Sequence, residues 1–384
     1  MRVVVIGAGI VGTSVAMLRA ARGDEVIVLD QGEPELVGST GHAPGFIGEF
    51  GDDPVATGLA VATTVALAEL SADGADFDRV GCIEVATSPE GARALRARLD
   101  AARAQGLSAE LLTADEAAAR APELIDPART EAALFFGADA VADAGALTAL
   151  MRTKTEAAGA QFRFETPVTA IEPDRDVVRL QTPDGPIAAE HVVLCAGIWT
   201  SELASLFGVE LPIVAVRHPY AWGRQVAPPA RGPFVRFPEQ HVYARWHGDR
   251  WGFGSYAHRP EPIEMAGRDR ADVAWDGLFD PVLAASTALF ARPDLLAPHT
   301  RLDGIFAVTP DNLPLVGRLT ERVSVASAIW VTHSIGAAQV LDRALQGTPT
   351  DADFRLDPRR FAATDSRTLR QQALANYNDI YTRG

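Results

Sequence analysis

Apolar and polar positions change period several times along the 384-residue chain, and each change marks an element. Residues 3–6 are an unbroken apolar run rich in valine and isoleucine, the pattern of a strand buried on both faces. Helix-like residues follow from 10 to 21, Gly23 closes that helix, and 26–29 read as a second buried strand. Next come an amphipathic helix over 54–70, a strand over 80–87 and an alanine- and arginine-rich helix over 89–105. Leu111 and Leu112 lead into a helix capped by Thr113. Residues 132–137 read as a strand, 144–158 as a helix and 161–165 as a strand. Residues 166–172 and 177–182 read as a meander that turns at Pro183-Asp184-Gly185, and 190–197 as a buried strand ending in a glycine turn. From 211 to 256 the period drops to two, which predicts an antiparallel sheet built from 214–222, 235–237, 241–246 and 251–256. A helix over 272–290, strands over 304–309 and 323–332, and a helix over 334–345 entered through Gly336 complete the main pattern. The polar, helix-like stretch 365–384 is expected to cover the first domain without enclosing a cavity.

The opening strand stops at Gly7-Ala8-Gly9-Ile10-Val11-Gly12, and the second strand ends at Asp30. A glycine triplet alone is a weak signal. With a strand before it, a helix after it and an acid about 20 residues on, it is the dinucleotide-binding fingerprint. Gly7 allows the tight turn, Gly9 lets backbone approach a pyrophosphate, and Gly12 permits close helix–strand packing. The N–H groups that open the helix face the phosphates. Asp30 accepts from an adenosine ribose and disfavours a 2′-phosphate. The expected class is therefore α/β, a Rossmann-type domain over 1–80, 140–212 and 304–384. A second, antiparallel-sheet domain for substrate is expected over 81–139 and 213–303.

Composition narrows this picture little. The chain is 47% hydrophobic and 22% charged, an ordinary globular balance. A formal charge of −15 repels phosphate backbones and anionic lipid, so neither nucleic acid nor membrane is an expected partner. No later run is expected to approach the ~18 residues of a spanning helix. The start carries only Arg2 as a basic flank, unlike a secretory signal. Cys82 and Cys195 stand far apart with no metal-ligand spacing, so no metal and a cytoplasmic location are expected. Lys154 is the only lysine, on an expected surface helix.

Small residues, one histidine and one proline at Gly38-Ser39-Thr40-Gly41-His42-Ala43-Pro44-Gly45 read as a loop pressed against something. With this GSTGHAPG loop after the fingerprint, the chain resembles flavin-dependent amine oxidases of the D-amino-acid oxidase superfamily. Within it, the likeness is to the flavin half of dimethylglycine oxidases and dehydrogenases and sarcosine dehydrogenases. The resemblance continues through TPVTAIE (166–172), LCAGIW (194–199), YARWHGDRWGFGSYAHRP (243–260), GIFAVTPDNLPLVG (304–317) and WVTHSIGAAQV (330–340).

The resemblance implies FAD, with Gly7, Gly9, Ile10, Val11, Gly12, Asp30 and Gln31 on its ADP half. Ser39, Thr40, His42, Ala43, Val168, Ala196, Gly197 and Trp199 would line the rest, and His42 would carry the flavin covalently. His333, Ser334 and Gly336 would face the flavin pyrimidine, where helix N–H groups stabilise negative charge. His218 and Tyr243 fall where relatives place a His/Tyr pair that acts on the substrate amine. Arg217, Arg245 and Arg259 lie in segments suited to a substrate carboxylate, and Tyr256 in one suited to the substrate. The implied reaction is oxidation of a secondary or tertiary amine, an N-methylated amino acid, by hydride transfer to the flavin, giving formaldehyde. Oxygen or an electron-transfer protein would take the electrons. Two departures are expected: a chain without the folate-binding domain of dimethylglycine oxidases, and a Lys154 not placed to activate oxygen. An amino- or imino-acid oxidase acting at the α-carbon, and an FAD subunit that needs a partner, remain alternatives.

Overall fold

The computed structural model describes residues 1–74, 77–227 and 232–381. Its first sheet runs in the order Leu315–Arg318, Val323–Ser327, His191–Leu194, Arg2–Ile6, Glu25–Leu29, Gln161–Arg163. Neighbours are parallel except at the edge strand Leu315–Arg318. Val3 pairs with His191 on one side and Val26 on the other. Because side chains alternate across a strand, the central pair serves two cores at once. Val3, Val5, Val26 and Val28 pack with the helix residues Val15, Ala16, Ala337 and Leu341. Val4, Ile6, Ile27 and Leu29 pack with Ile171, Val178 and Leu180 of the meander on the opposite face. Burial on both faces removes any need for polar alternation, which is why the run was unbroken.

The glycine turn is tight for a concrete reason. Gly7 has φ +110°, and a Cβ there would run into the carbonyl oxygen of Cys195; a Cβ at Gly12 would run into the carbonyl oxygen of Gly7. Helix Ile10–Ala21 can therefore lie directly on the sheet. Helix Ser334–Gln346 packs on it and on helix Pro54–Ser71. By length and composition, Pro54–Ser71 is long and apolar enough to cross a membrane, contrary to the sequence expectation. Its inward residues Leu59, Ala60, Thr63 and Leu67 are buried in the fold.

The second sheet follows the order Asp272–Val273, Thr300–Val308, Val214–Trp222, Trp251–Ser255, Val242–Trp246, Phe234–Phe237, Cys82–Ala86, Ala132–Phe136, Glu110–Leu112. It is antiparallel apart from the parallel join of Cys82–Ala86 to Phe234–Phe237. Thr300–Val308 pairs along its whole length with Val214–Trp222, so this sheet continues past residue 304.

Most other elements begin and end close to their expected bounds, and four differ. The helix expected over 272–290 is a strand at Asp272–Val273 and a helix only at Asp280–Thr287. Gly277 at φ +83° breaks the run, and Pro281 can only open a helix. The strand expected over 323–332 stops at Ser327, because Ala328 takes a left-handed φ of +55° and a 3₁₀ turn follows at Val331–His333. The glycine-rich loop contains one helical turn, Ser39–His42, none of it buried. Finally, helix Ser366–Ala375 and the turn after it cover the second sheet and meet the first domain at its edge, through Ser366 to Glu210 and Asn376 to Pro310. They also place Ile380 in the wall of a cavity, which the tail was not expected to enclose. Ala373, Tyr377 and Ile380 pack with Val214, Val216 and Val308.

Candidate active site

One cavity of about 620 Å³ is lined by residues of both sheets. Gly7, Gly9, Ile10, Val11, Asp30, Gln31, Ser39, Thr40, His42, Ala43, Val168, Ala196, Gly197, Trp199 and His333 line it, as do His218, Tyr243 and Tyr256. Gly12, Ser334 and Gly336 do not. Gly12 and Gly336 are packing positions: a Cβ at Gly336 would meet the Leu59 carbonyl oxygen, and its N–H donates to Thr63 Oγ1 at 3.0 Å. The Ser334 hydroxyl turns back to the Val331 carbonyl at 2.9 Å.

Helix Ile10–Ala21 opens on this cavity with Gly9 as its cap, no side-chain cap and no acid in its first turn. Its first N–H groups thus form a site for an anion. Asp30 accepts from Ala8 N at 2.7 Å and Gly32 N at 2.9 Å, which fixes the carboxylate, while burial raises its pKa. A methyl group at Gly9 would stand 3.0 Å from Thr40 Oγ1, the atom that accepts from Ile10 N. Backbone here is bare enough for a pyrophosphate, and the donor set fits a dinucleotide. The turn Ser39–His42 bridges the sheets: besides the Thr40 bond, Ser39 Oγ donates to Ile305 O at 2.9 Å. Gly41 is required there, because a Cβ would run into the Leu36 carbonyl oxygen. His42 Nδ1 lies 3.0 Å from Gly38 O, so Nδ1 carries the hydrogen, and Nε2 lies 3.5 Å from Asp272 Oδ1.

At the other end, strands Val214–Trp222 and Val242–Trp246 present His218 and Tyr243. His218 Nε2 meets the Tyr243 hydroxyl at 2.6 Å, and Nδ1 meets the Tyr377 hydroxyl at 2.8 Å. Burial holds the His218 pKa well below its usual value, so the ring is neutral. Tyr220 and Tyr243 both stand in register with Gly254, where a Cβ would run into the Tyr243 hydroxyl. That glycine is what leaves room for the phenol. Tyr220 also lines the cavity and bonds His247 Nε2 at 2.7 Å. His333 stacks on Trp330 with ring centroids 5.7 Å apart, and burial lowers its pKa to about 4.

The expected carboxylate arginines are elsewhere. Arg217 is held by Asp303 and by Asp276 at 2.9 Å, and Arg259 is exposed; neither lines the cavity. Arg245 is a buried clamp on Gly45 O (2.7 Å) and Ala142 O (3.1 Å). Among the described residues, the arginine that lines the cavity is Arg236. Its Nη1 lies 3.9 Å from Glu84, and its charge opposes the burial that raises Asp139 to about 7. Arg236, Tyr220 and Tyr377 were missed. Tyr220 could have been found, two residues from His218 on one strand and hence on the same face. Arg236 stands opposite Tyr243 in a register that cannot be read before the strands are paired. No sequence signal marked Tyr377.

A dinucleotide turn at one end of the cavity and a neutral histidine–phenol pair at the other define an oxidoreductase with a nucleotide cofactor. The chain belongs to the FAD dependent oxidoreductase (DAO) family, whose pattern it matches over residues 2–344. It is 24% identical to mitochondrial dimethylglycine dehydrogenase of Rattus norvegicus over 93% of this chain and 44% of that protein. It is 26% identical to mitochondrial sarcosine dehydrogenase of Mus musculus over 99% of this chain and 44% of that one. It thus spans less than half the length of these relatives. In fold it is similar to L-proline dehydrogenase from P. horikoshii, with a TM-score of 0.85 and 21% identity over 95% of this chain and 98% of that one. Its cofactor is FAD.

Proposed function

We propose that this chain oxidises a secondary or tertiary amine, an N-methylated amino acid of the dimethylglycine or sarcosine kind, and releases the methyl carbon as formaldehyde. The observation that carries this reading is the neutral His218–Tyr243 pair facing the cavity. FAD, when bound, supplies the two-electron acceptor. The chain's own residues do the rest. Such an amine arrives as an ammonium, with a pKa near that of a lysine at about 10.4, and no hydride leaves a carbon beside a nitrogen without its lone pair. Tyr243 Oη can accept the ammonium hydrogen bond while it donates to His218 Nε2, so a proton can move off the amine. Arg236 is the group for the carboxylate. Aromatic rings of Tyr220, Tyr256 and Phe306 line the cavity and would shield the amine from water until the hydride has left. Water then attacks the iminium, giving demethylated amine and formaldehyde.

Purified, flavin-loaded protein mixed anaerobically with N,N-dimethylglycine or sarcosine should bleach its visible flavin absorbance and yield formaldehyde equimolar with amine consumed. L-Proline is the contrast substrate. Bleaching by L-proline with a ring imine and no formaldehyde from the methylated amines would replace demethylation with α-carbon oxidation.

The covalent link is the second part of the proposal. His42 lines the cavity with Nδ1 held by Gly38 O, and its Nε2, 3.5 Å from Asp272 Oδ1, would be the atom that bonds the flavin 8α-carbon, the carboxylate being placed to take any proton that Nε2 carries. Acid-precipitated wild type should keep fluorescent flavin on a denaturing gel, and His42→Ala should lose it. Flavin found wholly in the wild-type supernatant would refute the link.

A further inference from the structure

The hydrogen bonds of the His–Tyr pair continue beyond the cavity. Tyr377, on the turn after helix Ser366–Ala375, is fully buried. Its hydroxyl lies 2.8 Å from His218 Nδ1 and 2.9 Å from His258 Nε2. The His258 Nδ1 lies 2.8 Å from the backbone oxygen of Arg259. A carbonyl only accepts, so this last contact sets the direction of the whole chain. His258 carries its hydrogen on Nδ1, and its Nε2 accepts from the Tyr377 hydroxyl. Tyr377 oxygen then accepts from His218 Nδ1–H, and His218 Nε2 accepts from the Tyr243 hydroxyl. The Arg217 carbonyl, at 3.4 Å from the Tyr377 hydroxyl, is the poorer competitor for its hydrogen. His258 is half-buried between the exposed Ala257 and Arg259, so the series runs from cavity to surface.

We propose that Tyr243, His218, Tyr377 and His258 form a proton relay that carries the substrate ammonium proton from the cavity to solvent, with Tyr377 as its buried link. The proposal rests on the amine-oxidation reading above. In the transfer the amine N–H bond breaks and Tyr243 Oη takes that proton. Tyr243 passes its own proton to His218 Nε2, and His218 passes Nδ1–H to Tyr377. Tyr377 passes its proton to His258 Nε2. One proton leaves the amine and one arrives on His258, which becomes imidazolium and releases it to water. Every group between stays neutral before and after, so no charge is left in the buried centre. No electron moves along this path.

The surroundings suit that traffic. Around His218 stand Tyr256, at 4.3 Å between ring centroids, and Phe306, neither of which brings a charge. The nearby Arg217 guanidinium is neutralised by Asp303 and Asp276. His258 packs against Phe279; burial lowers its pKa, and the hydrogen bond to the Arg259 carbonyl and then the Glu261 carboxylate offset this in part, so it passes a proton on to water rather than keeping it. Tyr377 and His258 act through Tyr243 and are positioning residues.

The test is the pH profile of anaerobic flavin reduction by N,N-dimethylglycine and sarcosine. Tyr377→Phe keeps the buried ring and removes one hydroxyl. At pH 7 it should reduce flavin about tenfold more slowly than wild type, a part of the effect of a direct acid–base group. The deficit should vanish as pH rises past the amine pKa of about 10, where no proton has to leave. His258→Gln should show the same profile, with the loss at pH 7 restored by added imidazole; it carries the test if Tyr377→Phe folds poorly. A rate unchanged at every pH, or lowered equally at pH 7 and above 10, would overturn the relay and leave Tyr377 as packing. Wild type that is not bleached by either amine would overturn the amine reading instead, and the relay with it.

Discussion

Replacing Tyr243 with phenylalanine will slow anaerobic flavin reduction by about 10²-fold or more, the usual scale for a positioned acid–base group. Asparagine at 218 will do the same, because its amide can meet only one of the two hydroxyls that His218 bridges. The loss of stability in Tyr243→Phe should be modest. The ring keeps its contacts with Phe46 at 4.9 Å and its neighbour Tyr220 at 5.9 Å, and leaving the buried His218 Nε2 without its donor costs about 1–3 kcal/mol. Stopped-flow reduction, flavin content and melting temperature, measured together, decide the matter. A variant with a normal reduction rate and a collapsed melting temperature would mean that the pair holds the sheet and does not act on substrate.

Arg236→Met is expected to raise KM for N,N-dimethylglycine about 10²-fold, since truncating one partner of a buried charge pair costs about 2–5 kcal/mol. The same change should alter trimethylamine, which lacks a carboxylate, only a few-fold. This contrast matters because Arg236 also stands beside Glu84 and the buried Asp139. Glu84 keeps its bond to Arg98 at 2.8 Å, and Asp139 can take up a proton near neutral pH, so the wall should survive. Equal losses for both amines would show that Arg236 supports the wall and does not read the carboxylate.

What could be read in advance follows the range of the forces involved. The opening strand–turn–helix–strand was legible because its signals are local: valine runs, glycines with no room for a Cβ, and an acid at a fixed distance. Elements with their own caps were legible for the same reason, as where Thr113 and Glu116 close a capping box. The stretch 272–290 misled because its apolar residues suited a helix while Gly277 and Pro281 divided it. His218 and Tyr243 were reached through a family resemblance, and the structure brings them within 2.6 Å. The arginines could not be sorted in that way. In a chain with one lysine, arginine serves every cationic purpose, and only cross-strand register separates Arg236 from Arg217. Tyr377 lay beyond reach, because its place depends on a helix docking across the second sheet rather than on any local pattern.

The order of strands in the first sheet also sets a timetable. Arg2–Ile6 can zip to Glu25–Leu29 almost as soon as both leave the ribosome, but its other edge is closed by His191–Leu194. At ~5–20 residues per second, that partner follows roughly 8–33 s later. His191–Leu194 then waits in turn for Val323–Ser327. Through that interval the nascent chain carries a bare, valine-rich strand edge, the kind of surface that pairs with the wrong neighbour. Slowing translation between residues 29 and 191 should therefore cost soluble yield, and a holdase at the exit tunnel should restore it.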